Sequence, residues 1–260
     1  MIIDVHCHAG KGDGLTGPWD TDASLHDYLP RADEAGVTHS VLLPAFHSDS
    51  RVVNHALWGL VRGARQRFWG FCFLSGKNDA GRVPELVSRA VHRYGFVGIK
   101  AHRHESAISR EICDAARHFC LPVLYDVAGE VAPVELLATE YPDVSFIIPH
   151  LGSFADDWRA QLALIDMLER HPNVYTDSAG VRRFDLLQEA VRRASARKLL
   201  FGSDGPWLHP GVELAKIRAL KLSRSDEDLV LFKNFLRLTA RARARRNRPQ
   251  ALLGTASLAR

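Results

Sequence analysis

Sulphur chemistry is scarce in this chain: four cysteines in 260 residues, Cys7, Cys72, Cys113 and Cys120, none in a C-x-x-C pair. A chain of this length buries enough surface to hold its core without cross-links, so a disulfide scaffold is excluded and a reducing, cytoplasmic setting is expected. Long apolar runs are missing as well; none approaches the ~18 residues a membrane helix requires. The opening MIIDVHCHAG has no basic n-region, and Asp4, His6 and His8 interrupt any apolar stretch there, which argues against a secretory signal. There is no G-x-S-x-G elbow and no phosphate-binding glycine loop in a strand-to-helix context; GKGDG at 10–14 reads as a flexible loop. Acid is absent from residues 240–260, which hold six arginines. Removing those six charges from the net +4 leaves −2 over residues 1–239, so the basic balance belongs to the end of the chain and not to its body.

What the chain does have is the composition of a globular protein, 46% apolar and 25% charged, together with thirteen histidines. Eight short apolar or β-branched runs recur at 2–6, 39–45, 68–74, 97–102, 122–127, 145–150, 173–177 and 198–203. Amphipathic stretches separate them (24–35, 53–67, 83–94, 109–119, 134–140, 158–170 and 184–196), giving units the length of a strand plus a crossover helix. Eight such units predict a single-domain α/β fold, a (β/α)8 TIM barrel over residues 1–239, with an eight-stranded doubly wound sheet as the competitor. Polar residues gather at the C-terminal ends of many different runs, which a barrel brings to one mouth and an open sheet spreads along a line. Helices at 212–219 and 226–237 follow. Residues 240–260 are expected to form a frayed or separately docked Arg-rich extension, with Pro249 stopping any helix that enters it.

The strongest local signal is Asp4-Val5-His6-Cys7-His8. Strand side chains alternate, so His6 and His8 project to one side and Cys7 to the other, making half of a divalent-metal site. For H-x-H taken alone, two histidines that only cap a strand are the plain alternative. Asp204, in Phe201-Gly202-Ser203-Asp204-Gly205-Pro206, ends the eighth run, which a barrel sets beside the first. There it can serve as metal ligand, as proton acceptor from water, or both, the alternative being a turn cap. His150, just before a glycine turn, can bind metal or act as a general acid or base; a satisfied buried histidine is its alternative.

In GIKAHRH, period two puts Lys100 and His102 on one face. Lys100 can take an anionic substrate group or pair with a site carboxylate, His102 can meet a second metal or the substrate, and Arg103 is a second cation for an anionic substrate. Asp126 ends the fifth run where a further ligand would sit, with an ion pair to Lys100 as the competing role. Trp207, Asp177, Ser178 and His209 are weaker pocket-lining candidates. His47, His55, His92, His118 and His171 are expected to face solvent.

Taken in order, H-x-H, GIK-x-H, PHLG and FGSD-x-P resemble the amidohydrolase superfamily, nearest the amidohydrolase-related branch of metal-dependent TIM-barrel hydrolases that also contains aminocarboxymuconate-semialdehyde decarboxylase. The resemblance covers about residues 1–239, with Lys233-Asn234-Phe235-Leu236 similar to the branch's closing helix. It implies His6, His8 and Asp204 as metal ligands, His150 as the catalytic histidine or an additional ligand, and zinc as the ion, with manganese or iron as alternatives. The branch usually carries a histidine where this chain has Asp126. As a ligand, Asp126 would bring the set His6, His8, Asp126 and Asp204 to zero net charge with a divalent ion, and a more neutral site acidifies bound water less.

The function expected on these grounds is a metal-dependent hydrolase of a small, anionic amide, ester or lactone, with Asp204 taking a proton from the attacking water and His150 serving the oxyanion or leaving group. A non-oxidative decarboxylase of an aromatic or muconate-like acid is the alternative built from the same residues. Nucleic-acid binding through the Arg-rich tail and a barrel without activity are the alternatives of other classes. The expected partner is a small-molecule substrate, not a membrane; the resembled branch also suggests a homodimer.

Overall fold

A computed structural model describes residues 1–15, 21–154 and 157–246. Its nine strands are β1 (Ile3–Lys11), β2 (Asp22–Ala23), β3 (His39–Pro44), β4 (Phe68–Phe73), β5 (Gly98–His102), β6 (Val123–Asp126), β7 (Phe146–Ile148), β8 (Val174–Asp177) and β9 (Leu199–Leu200). They join in the order β2-β1-β3-β4-β5-β6-β7-β8-β9, every neighbouring pair parallel except β2 on β1. The ring then closes. Val5 N donates to Phe201 O (2.9 Å), Asp204 N to His6 O (2.7 Å) and His8 N to Gly205 O (2.7 Å), with Cys7 bridged in parallel to Gly205. Closure decides for the TIM-barrel fold over the doubly wound sheet, in one domain. The strands read as near-continuous apolar runs because both faces are covered: Leu42, Leu43, Phe146, Ile147 and Ile148 are all fully buried.

Helices fill the connections, and their starts follow cap chemistry. Ser24, Ser109 and Asp157 each accept a backbone N–H at the head of Leu25–Glu34, Arg110–Phe119 and Trp158–Arg170. The helix expected at 53–67 runs over Ser50–Gly63 instead, because Asp49 caps it earlier by accepting from Arg51 N. Two other departures shape the site. β1 extends well past the run at 2–6, because Gly10 and Lys11 pair with Ala23 and Asp22 of β2. The sixth run breaks early: Pro149–Gly152 leaves the sheet in a tight turn with His150 (φ 59) and Leu151 (φ 52) in the left-handed region.

The Arg-rich extension is helical and docked over Ala240–Arg246, where alanine and arginine are both strong helix formers. Arg241 donates to Cys120 Sγ (3.7 Å), Arg243 to Leu236 O (2.8 Å) and Arg245 to Phe119 O. Three of the six arginines thus hold the helix to the barrel's outer layer. Arg248, Pro249 and Arg260 lie outside the described residues. Among the described residues, no helix is long and apolar enough to cross a membrane.

Candidate metal centre

Strand alternation does bring His6 and His8 to one point at the C-terminal mouth of the barrel. Their Nε2 atoms stand 3.3 Å apart, and Asp204 Oδ1 is 3.4 Å from each. Ligand atoms about 2.0–2.1 Å from a tetrahedral ion are about 3.3–3.4 Å from one another, so the three separations suit one small divalent ion. The opposite edge of each ring is tied down. His6 Nδ1–H donates to Asp177 Oδ2 (2.9 Å) and His8 Nδ1–H to the Pro44 carbonyl (3.2 Å), which leaves both Nε2 lone pairs pointing at the shared space. Burial holds His6 down to about 4 against the pull of Asp177, so it is neutral at pH 7, the form that binds metal. All three residues are buried, and together they form a His/Asp metal site.

The scaffold beneath is a set of carboxylates each used more than once. Asp4 accepts from His6 N (3.1 Å), Ser203 N (2.9 Å), the Ser203 hydroxyl and the Tyr28 hydroxyl (2.8 Å), stitching β1 to the segment that carries Asp204. Burial still pushes Asp4 up to about 7. Asp177, besides orienting His6, accepts from His150 N (3.0 Å) and Ala179 N (3.1 Å) through Oδ1. Asp204 and His150 both have positive φ, 58 and 59, unusual for residues with a side chain; the turns that strain them also aim them inward.

His150 lies beside the triad, its ring 4.9 Å from that of His6. Its Nδ1–H donates to Ala179 O (2.7 Å), and its Nε2 is 3.3 Å from Asp126 Oδ2. A ring with an acceptor at each nitrogen is satisfied only as the imidazolium. Burial opposes that charge, but the Asp126 hydrogen bond and charge outweigh it and hold His150 up to about 9. Asp126 Oδ2 is also 3.3 Å from His102 Nε2, while His102 Nδ1 accepts from His104 N (3.0 Å), so the neutral His102 carries its proton toward Asp126. Against the cost of burial, these two imidazoles keep the Asp126 carboxyl well below the carboxylate range.

Asp126 therefore stands differently from the ligand expected of it. Among the described residues, the groups whose ligand atoms lie within 4.8 Å of one another are His6–His8–Asp204 and His6–His150–Asp177, and neither includes Asp126. It faces the same cavity as the counterion of His102 and His150. Among the described residues, no hydrogen bond joins Lys100 to it or to any other group. Arg103 turns aside to Glu130 (2.7 Å) and is not among the residues lining the cavity. Lys100, His102 and Trp207 do line it, with Phe46 and Phe154, around about 440 Å³. Asp177 ranked low from sequence because its strand-end position is visible but its two clients, His6 and His150, are not. The carbonyls of Pro44 and Ala179 leave no sequence signal at all.

Gly202 shows how tightly the ligands are set. A Cβ there would lie 2.8 Å from His6 Cβ and 3.3 Å from Asp177 Cγ. Gly202→Ala is expected to displace His6 and weaken zinc binding by about tenfold or more, the scale of losing an orienting contact. Competition against a chromogenic chelator measures this, and wild-type affinity would mean that His6 can shift without cost.

The fold and the site together define a metal-binding (β/α) barrel. A family model described as amidohydrolase matches residues 114–241 of the chain. No curated protein matches the sequence. Among solved structures, the chain is similar to 2,6-dihydroxybenzoate decarboxylase from Rhizobium (TM-score 0.70, 16% identity, covering 92% of this chain and 98% of that one). It is also similar to a dihydroxybenzoic acid decarboxylase from Polaromonas sp. JS666 holding manganese and the inhibitor 2-nitroresorcinol (0.70, 16%, 95% and 98%). A proposed 2-pyrone-4,6-dicarboxylic acid hydrolase from Pseudomonas putida is a third (0.70, 19%, 92% and 97%). At these identities the likeness is one of fold.

Proposed function

We propose that this protein is a metal-dependent non-oxidative decarboxylase of a small carboxylic acid, with His150 as the proton donor. The observation that carries the reading is the pair of acceptors at the two ring nitrogens of His150, beside the triad, which favours its imidazolium. His6, His8 and Asp204 would hold the ion, leaving a position open toward the cavity as in catalytic zinc sites. Zinc suits the spacing; manganese, present in the Polaromonas decarboxylase, is the alternative. When bound, the ion supplies Lewis acidity to a substrate oxygen.

Decarboxylation needs an acid more than a base. The carbon bearing the carboxylate takes the Nε2 proton of His150, its bond to the carboxylate carbon breaks, the electron pair of that bond becomes the new C–H bond, and carbon dioxide leaves. Neutral His150 then recovers a proton from solvent. The other imidazoles near the triad are committed, His6 and His8 to the ion and His102 to Asp126, so no neutral base stands ready in the resting site. Such a general acid contributes about 10²–10⁴ in rate.

Hydrolysis of a small anionic amide, ester or lactone is the second reading, favoured by Asp204 Oδ1, which lies within reach of both imidazoles where a water's proton would have to go. Turnover of a panel of aromatic acids and lactones by the zinc- or manganese-loaded enzyme separates the two. The decarboxylase predicts carbon dioxide release and one solvent deuterium on the product carbon in D2O. Incorporation of ¹⁸O from labelled water into a product carboxylate, without carbon dioxide, would overturn it in favour of hydrolysis.

A further inference from the structure

Among the described residues, two members of the cavity wall have a buried polar atom with no hydrogen-bond partner, Lys100 Nζ and Trp207 Nε1, and of the two only the lysine can carry charge. On β5 it lies two residues before His102 on the same face, about 6.6 Å deeper in the barrel by the rise of a strand. Lys100 is 1% exposed, it lines the cavity, and its Nζ makes no hydrogen bond among the described residues. The partly buried lysines elsewhere behave otherwise. Lys198 Nζ donates to His171 O (2.6 Å) and Val174 O (2.9 Å), and Lys216 Nζ to Val181 O (2.8 Å) and Ser178 O (3.3 Å). The nearby carboxylates are already engaged: Asp126 with His102 and His150, Asp177 with His6, His150 and Ala179, and Asp204 with the two triad histidines.

We infer that Lys100 is a seat for an anionic group of the ligand, one that works without the metal ion. Burial works against the Lys100 charge and the carboxylates of Asp126, Asp204 and Asp177 support it from a distance, but no hydrogen bond takes it up, and the cost of burying it is recovered when something anionic enters. The space above it suits a flat apolar body. Phe46 and Trp207 flank His8, with ring centroids 5.5 and 4.6 Å from it, and Phe154 stands edge-on to His150 at 5.0 Å. The ligand class is therefore a small aromatic or similarly planar acid inserted with its anionic group toward Lys100. This rests on the reading that the cavity is the active site, but not on which reaction runs there; the seated group need not be the one that reacts.

Benzoate, with benzamide as its neutral counterpart of the same shape, tests the inference on EDTA-treated protein, followed by calorimetry and by tryptophan fluorescence, since Trp207 lines the cavity. A charge-assisted contact predicts benzoate binding about 10–100-fold tighter than benzamide. Lys100→Met is expected to bind the two alike while taking up zinc like the wild type, and to melt no lower, because an apolar side chain replaces a buried charge that no hydrogen bond satisfies. Lys100→Gln is the second variant should the methionine protein fail to fold. Equal binding of both probes by the wild type, no binding of benzoate, or a surviving preference in the variants would each overturn it. Failure of decarboxylation alone would leave the binding result standing, so the two readings fail separately.

Discussion

Alanine in place of His6 is expected to leave the protein folded and unable to retain a divalent ion. The triad offers three ligand atoms, and a site reduced to His8 and Asp204 keeps two. Loss of a partner that only orients a metal-binding histidine typically costs 10–100-fold in affinity, so losing the ligand itself should cost more than about 100-fold. His8→Ala should behave likewise, whereas Asp177→Asn, which weakens only the contact that holds His6 Nδ1, should fall within the 10–100-fold range. Metal content by mass spectrometry after gel filtration, with circular dichroism to verify folding, reads the series in order of severity. A His6→Ala protein that holds one equivalent of zinc with wild-type affinity would rule out the triad as the site.

The second large effect separates chemistry from metal binding. His150 contacts the triad by ring packing, but its nitrogens face Ala179 and Asp126 and not the shared space of His6, His8 and Asp204. His150→Asn should therefore keep the ion and lose about 10²–10⁴ in kcat, the contribution of a positioned general acid. Asparagine is the substitution of choice because φ is 59 at this position and asparagine tolerates the left-handed region better than most residues. Asp126→Asn removes the counterion and should lower kcat in the same direction with metal content unchanged. A His150→Asn enzyme with wild-type turnover would remove this histidine from the mechanism; one that loses its metal would make it a ligand.

Much of the fold was legible in the chain because its signals are local. Each of the eight runs overlaps a barrel strand, and the helices between them fall close to their expected places. The errors lie where distant partners intervene. β1 is lengthened by β2, a two-residue strand too short to carry any periodicity. The helix at Ala240–Arg246 has an arginine pattern that looks like a solvated run, yet two of its arginines reach Phe119 and Cys120, more than a hundred positions away in sequence.

At the site the division is sharper. That His6 and His8 share a face while Cys7 does not is a property of any strand, and so could be read without coordinates. The histidine and aspartate endings of the sixth and eighth runs pointed to the mouth for the same reason. Which of these groups touch was decided by the closed barrel. Closure put Asp204 against His6 and His8, the register His102↔Asp126 joined two residues that sequence had assigned to separate tasks, and the turn at Pro149–Gly152 swung His150 onto Asp126. Asp126 came to face His102 and His150, Arg103 left for Glu130, and Lys100 was left with a cavity in front of it and, among the described residues, no hydrogen-bond partner. Residue type and strand period set what each side chain can do; pairing across strands, which depends on register and loop path over long sequence distances, determined what each one does.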